Sequence, residues 1–165
     1  MAIEIERKFL VRHDEWRVHA TSETPIRQAY LASGERSSTR VRVRNGATAT
    51  VAIKSKKTEL RRLEIEYEIA IFDAEALMLL RLSEIVEKTR YTVPIGQHTW
   101  EIDVFSGRNK GLVIAEIELQ EVGENFERPH WLGAEVTGQS QYYNGSLARL
   151  PFCEWRSPHL AASTG

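Results

Sequence analysis

Apolar and polar residues alternate along most of this chain with period two, the spacing of a half-buried strand rather than a helix. Residues 3–11 read as a first strand, with Ile3, Ile5 and Phe9 on one face and Glu4, Glu6 and Lys8 on the other. The same alternation predicts strands over 26–32, 37–45, 48–56, 60–72, 84–95, 98–105 and 112–121. Asn45-Gly46 marks a tight turn between two of them. Helical signals are few. Residues 14–19 suit a short helix, and "DAEALMLLRLS" (73–83) follows the cap residue Asp73, with Leu77, Leu80 and Leu82 as its buried stripe. The chain is less regular from Phe126, apart from a short helix expected within "QYYNGSLARL". About eight strands joined by short connections predict antiparallel pairing.

The polar faces are charged, and each carries mostly one sign. Arg40, Arg42 and Arg44 share a face, as do Glu64 with Glu66, Lys88 with Arg90, Glu101 with Asp103, and Glu116 with Glu118. Gln28 with Tyr30, and Lys54, lie on corresponding faces of their strands. Like charges at i and i+2 stand about 6.5–7 Å apart. Their repulsion is about 0.6 kcal/mol in water and about 2–3 kcal/mol at an effective dielectric near 20. A solvated face would mix signs with Ser and Thr, so rows of one sign point to something of opposite charge between them. If the strands close into a barrel, the apolar parity must meet the covering helices, and the charged parity faces inward. Buried charge on this scale is costly unless paired or bound to ions. A polyanion with a hard divalent cation satisfies both signs: carboxylates hold Mg²⁺ or Mn²⁺ and arginines grip phosphate oxygens in pairs.

Composition changes this picture little. The 165 residues suit one domain, with 42% hydrophobic and 27% charged residues and a net charge of −1. Nothing global selects a nucleic acid or an anionic membrane as partner. The single cysteine, Cys153, forms no internal disulfide. Early charges exclude a secretory leader, and the apolar runs are too short to span a bilayer, so a cytoplasmic location is expected. His13, His19, His98, His130 and His159 stand at no metal-ligand spacing and read as surface residues. Trp16, Trp100, Trp131 and Trp155 read as packing.

The ordered series Glu4-Ile5-Glu6-Arg7-Lys8, "RQAYL", "TRVRVR", "AIKS", "RRLEIEYEI", "VEKTRY", "WEIDVF", "GLVIAEIEL" and "YYNGSL" resembles the CYTH superfamily, the triphosphate tunnel metalloenzymes. The resemblance covers roughly residues 3–150 and implies a mainly β, α+β fold. It consists of a closed eight-stranded antiparallel barrel with a few helices outside, a domain of residues 1–150 and a partly disordered tail of 151–165 ("SPHLAASTG" at its end). It implies Glu4, Glu6, Glu116 and Glu118 as principal metal carboxylates, with Glu64, Glu66 and Asp103 supporting, and Mg²⁺ or Mn²⁺ as the metal. Lys8, Arg40, Arg42, Lys54, Lys88 and Arg90 would hold phosphates, and Tyr30 with Lys88 would activate water. The implied reaction is hydrolysis of inorganic triphosphate to pyrophosphate and phosphate. Alternatives are a class IV adenylate cyclase, a thiamine triphosphatase and a non-catalytic polyphosphate- or nucleotide-binding module. The expected partner is a small-molecule triphosphate, without nucleic acid or membrane, and a homodimer is possible.

Overall fold

The computed structural model describes residues 2–56 and 60–155, so "SPHLAASTG" lies outside the described residues. The alternating segments form β1 (Ala2–Val11), β2 (Ser22–Ser33), β3 (Ser37–Arg44), β4 (Thr48–Ser55) and β5 (Arg61–Ile69). They continue with β6 (Val86–Ile95), β7 (His98–Phe105), β8 (Val113–Glu118) and a short β9 (Leu132–Glu135). Two α-helices, α1 (Ile71–Met78) and α2 (Asn144–Arg149), lie between strands and after them. The sheet order is β5-β4-β3-β2-β6-β7-β8-β1-β9, and a further β5–β1 pairing closes eight strands into an antiparallel barrel. β8 takes one edge of β1. On its other edge β5 pairs with Ala2–Ile5, and β9 pairs beyond it at Phe9 and Val11.

Local chemistry explains where these elements depart from the periodicity. β2 begins before Pro25, not after it. The Pro25 carbonyl accepts from Asn45 N–H, so the missing proline N–H points to the same side, past the last paired residue of β3. Asn45 and Gly46 both take positive φ (54° and 62°), and Ala47 N–H closes the turn on Arg44 C=O. Residues 14–19 form a 3₁₀ segment rather than an α-helix. β9 was not legible: its "LGAE" packs so close to β1 that a Cβ on Gly133 would stand 2.8 Å from the Leu10 carbonyl oxygen.

The helix expected at 73–83 is shifted and shortened. It starts at Ile71, two residues before the proposed cap, and Asp73 sits inside its first turn. It ends at Met78, and the following turn is tied to the sheet by Leu82 N–H donating to Tyr30 C=O. Ala74 and Met78 are therefore the buried contacts, with Leu77 partly buried. The expected stripe fails at two positions: Leu80 and Leu82 are 68% and 61% exposed.

The apolar core lies outside the barrel in three patches. Ile5, Phe9, Trp16, Trp100 and Trp131 form the largest, covered by the 3₁₀ segment and the chain leading to β9. Ile5 and Phe9 thus pack in an aromatic patch rather than under an α-helix, with Phe9 against Trp100 of β7 and Phe126, and Ile3 is exposed. α1 covers the second patch, at Ala29, Val41, Val43 and Ala49. α2 covers the third, to which Phe152 and Trp155 also contribute, so the packed body continues past residue 150. With its apolar parity buried outward, the barrel is left with charge inside, and Lys8, Arg40, Arg42, Lys88 and Asp103 are all buried.

Candidate active site

The interior is a cavity of about 790 Å³. Twelve of the predicted site residues line it: Glu4, Glu6, Lys8, Tyr30, Arg40, Arg42, Lys54, Glu64, Glu66, Arg90, Glu116 and Glu118. Closure sorts their charges into two walls. Adjacent strands β7, β8, β1 and β5 carry Glu101, Glu116, Glu118, Glu4, Glu6, Glu64 and Glu66. The other four, β4, β3, β2 and β6, carry Lys54, Arg40, Arg42, Arg44 and Arg90, with Tyr30 among them.

Ion pairs form where the walls meet. At the β5–β4 seam, Lys54 Nζ lies 3.2 Å from Glu4 and 3.5 Å from Glu64, and Arg40 lies 3.5 Å from both Glu64 and Glu66. At the β6–β7 seam, Arg90 binds both oxygens of Asp103 at 2.7 and 2.8 Å and reaches Glu101 at 2.7 Å. Lys8 is the cation within the acidic wall of β1, and Glu116, 3.0 Å away, neutralises it. Burial opposes charge on both, but Glu116 and Glu6 hold the Lys8 pKa high, and Lys8 and Arg90 hold Glu116 well below the carboxylate range.

Away from the seams the charges are less well compensated. Arg42 donates to Gln28 Oε1 at 2.9 Å, and no ion pair to a carboxylate is found for it among the described residues. Burial, with Arg40, Arg90 and Arg44 around it, pushes its pKa down to about 9. Such a field favours an arriving anion. Opposite it, Glu118 is pushed upward by burial and then by Glu4, Glu101 and Glu6. Glu4 is also raised, by burial and by the hydrogen bond it shares with Glu64, and that bond together with Lys54 and Arg40 leaves Glu64 lowered despite its own burial. Crowded carboxylates whose charged form is disfavoured by burial and like-charged neighbours, as at Glu4 and Glu118, are the donor set a hard cation relieves. Glu4, Glu6 and Glu118 are the residues that fit such an ion, and turning onto it requires rotation of their side chains, since among the described residues no three tunnel carboxylates converge within 4.8 Å.

Lys88 and Asp103 do not line the cavity. They lie one layer behind it, bonded to each other at 2.6 Å, and Lys88 also donates to Asn144 Oδ1 at 3.1 Å. Asp103, with both oxygens taken by cations, is held down to about 2 despite its burial by Arg90 and Lys88. Lys88 is lowered to about 7, mainly by burial and then by Arg90 and Arg42, which Asp103 only partly offsets. Tyr30 does line the cavity, at a register shift in β2, and its hydroxyl oxygen lies 3.4 Å from Gln28 Nε2.

Sequence reasoning missed several lining residues. Arg62 shares the parity of Glu64 and Glu66 and could have been read from "RRLEIEYEI"; its guanidinium lies 5.9 Å from the Tyr143 ring centre. Tyr143, Asn144 and Arg149 come from α2 and its approach, where no periodicity signals an inward face.

Residues 2–149 match the family model for the CYTH domain. The chain belongs to the CYTH family. CYTH relatives include an inorganic triphosphatase of Acetivibrio thermocellus, 41% identical over 153 residues that cover 92% of this chain and 97% of the relative. Another, an inorganic triphosphatase of Nitrosomonas europaea, is 36% identical over 150 residues, covering 88% and 96%. The crystal structure of an inorganic triphosphatase superposes with a TM-score of 0.65 at 31% identity, covering 90% of this chain and 95% of the other. The barrel is therefore the CYTH tunnel, and among the described residues no helix is long and apolar enough to cross a membrane.

Proposed function

We propose that this CYTH protein is a divalent-metal-dependent triphosphatase, cleaving inorganic triphosphate into pyrophosphate and phosphate. The observation that carries the reading is the division of the tunnel into an acidic and a basic wall across one cavity. The two relatives named as inorganic triphosphatases, aligned over nearly their whole length, support the same substrate.

Arg40, Arg42, Lys54 and Arg90 hold the phosphate chain, joined by Arg44 and Arg62. The arginines' guanidinium forks and the Lys54 ammonium fix non-bridging oxygens and orient the terminal phosphorus. Glu4, Glu6 and Glu118 hold Mg²⁺ or Mn²⁺, with Glu64, Glu66 and Glu116 around them. Bound there, the metal supplies Lewis-acid stabilisation of charge on the phosphoryl oxygens. Water attacks the terminal phosphorus, the bridging P–O bond breaks, and pyrophosphate departs. Tyr30 is the lining residue that contacts the water. Lys88 acts as a positioning residue, because Asn144 stands between it and the cavity, and Asp103 holds both Lys88 and Arg90 in place. The substrate is a small molecule, processed in the cytoplasm.

The test is phosphate release from tripolyphosphate with Mg²⁺ or Mn²⁺, beside ATP and thiamine triphosphate, in wild type and in Glu118→Ala. Tripolyphosphate is the preferred substrate, and Glu118→Ala loses the metal-dependent rate. Full activity of Glu118→Ala would remove the metal assignment. Cyclic AMP as the main product from ATP would overturn the hydrolase reading. Only Tyr30 and Tyr143 offer aromatic faces among the cavity-lining residues described, and no observation favours a base- or thiamine-specific reading.

A further inference from the structure

The histidines that share no ligand spacing along the chain are brought together by the fold. His13 follows β1, Glu15 lies in the 3₁₀ segment Asp14–His19, and His130 precedes β9. One ligand atom from each, two imidazole nitrogens and one carboxylate oxygen, lies within 4.8 Å of the other two. His130 Nε2 touches Glu15 Oε2, and the two imidazole rings stand 5.2 Å apart, tilted by 39°. Among the described residues this is the only such trio of His, Cys, Asp or Glu, and none of its members lines the tunnel.

We propose that His13, Glu15 and His130 form a second metal site, on the outer surface, for a divalent transition metal of the zinc class. Ligands at zinc's bond lengths of about 2.0–2.2 Å stand about 3.3–3.5 Å from one another in a tetrahedron. The trio needs only small side-chain rotations to reach that spacing, with the fourth position left to water. Two nitrogens and one oxygen select zinc, cobalt, nickel or copper over magnesium, whereas the tunnel offers only oxygens.

Exposed side chains usually pay an ordering cost to converge, but here the backbone is already fixed. Glu15 adjoins Trp16, and His130 adjoins Trp131, two fully or nearly fully buried rings of the same core patch. Arg12 N–H donates to Trp131 C=O at 2.8 Å, which ties the two segments directly. A metal at this point staples the exit of β1 to the entry of β9. Further along the same pairing, Val136 N–H bonds Lys8 C=O and Lys8 N–H bonds Thr137 Oγ1. The site thus braces the outer edge of the strand that carries Glu4, Glu6 and Lys8 inward.

The experiment titrates the full chain with Co²⁺, a coloured stand-in for Zn²⁺, with Mg²⁺ in excess to occupy the oxygen ligands of the tunnel. Wild type is expected to develop the visible bands of a four- or five-coordinate ion at one equivalent, bleached by Zn²⁺. The bands vanish in the doubly substituted His13→Ala/His130→Ala protein, whose circular dichroism and tripolyphosphate hydrolysis stay at wild-type level. Glu15→Gln weakens Co²⁺ binding at least about tenfold. The same bands and stoichiometry in the double variant, or no Co²⁺ or Zn²⁺ bound by wild type under these conditions, overturns the site.

Discussion

Replacing Asp103 by Asn removes the carboxylate that Lys88 and Arg90 share, and the structure says which of the two cations suffers. Arg90 keeps Glu101 at 2.7 Å and Glu116 at 3.8 Å, whereas Lys88 keeps only the neutral Asn144 oxygen at 3.1 Å. Breaking a buried pair from one side costs about 3–5 kcal/mol, because the remaining charge stays out of water without compensation. In a domain of this size 1 kcal/mol moves the melting temperature by about 2–4 °C, so Asp103→Asn is expected to melt about 6–20 °C below wild type.

The pH dependence carries the diagnosis. Lys88 in the wild type is already lowered to about 7, and losing Asp103 lowers it further. Between the folded and unfolded pKa of such a lysine the native state binds fewer protons than the unfolded chain, so stability rises with pH there. The variant's extra deficit is therefore greatest below its own lowered Lys88 pKa, where the lysine carries its proton in both proteins, and is lost as pH rises from there through about 7. Adding Lys88→Met, which fills similar volume without charge, is expected to restore more than half of the loss. Thermal melts of the three proteins from pH 6 to 9 make the measurement. An Asp103→Asn deficit that ignores pH, or a double variant weaker than the single, refutes the shared-carboxylate account.

Two further outcomes follow from the walls of the tunnel. Arg42→Gln is expected to raise the KM for tripolyphosphate about 10–100-fold, the worth of one or two charge-assisted bonds. The unliganded protein should melt within about 2 °C of wild type, since a cation already lowered to about 9 by its neighbours contributes little to the empty fold; a large melting loss with unchanged KM would reverse the assignment. Separately, Mg²⁺ should stabilise the protein more at pH 8 than at pH 5. The raised pKa values of Glu4 and Glu118 mean that without metal their contribution is fully present below the unfolded pKa and lost as pH rises through the folded one. The metal replaces those protons, and a stabilisation by Mg²⁺ that is flat across this range would contradict it.

Much of this was legible because two faces of a strand cannot be confused. Once Ile5 and Phe9 are assigned outward, Glu4, Glu6 and Lys8 have nowhere to go but in, and the same parity places Arg40, Arg42, Glu64, Glu116 and Glu118. What parity does not convey is depth. Arg90 and Lys88 share a face, yet Asn144 and the α2 segment bury Lys88 behind the wall while Arg90 stays in contact with the cavity. Nor does a local pattern report where distant loops meet. His13 and His130 are ordinary surface histidines until the Arg12–Trp131 hydrogen bond sets their segments side by side. The leucines of 79–82 misled for a related reason: helical spacing predicts a buried stripe only while the helix lasts, and α1 stops at Met78.

The sorting of charge into two walls is a property of topology rather than of any strand. In chain order the signs switch back and forth: acids on β1, bases on β3 and β4, acids on β5, bases on β6, acids on β7 and β8. Two pairings turn that sequence into halves. β5 closes on β1, bringing its acids beside those of β1 and one strand from those of β8, and β2 pairs with β6, bringing Arg90 to within one strand of the arginines of β3. Ion pairs can then form only where opposite walls touch, unless one strand carries a charge of the other sign. Lys8 and Arg62 are those cases within the acidic wall, and Glu116 takes up Lys8. Asp103, an acid of β7, meets the basic wall at the β6–β7 seam, and Lys88 and Arg90 consume its charge. Arg42 on β3 and Glu118 on β8, for which no ion pair is found among the described residues, are the groups that the proposed function assigns to a bound phosphate and its metal. A fold that spread the same residues evenly would neutralise them among themselves and bind neither.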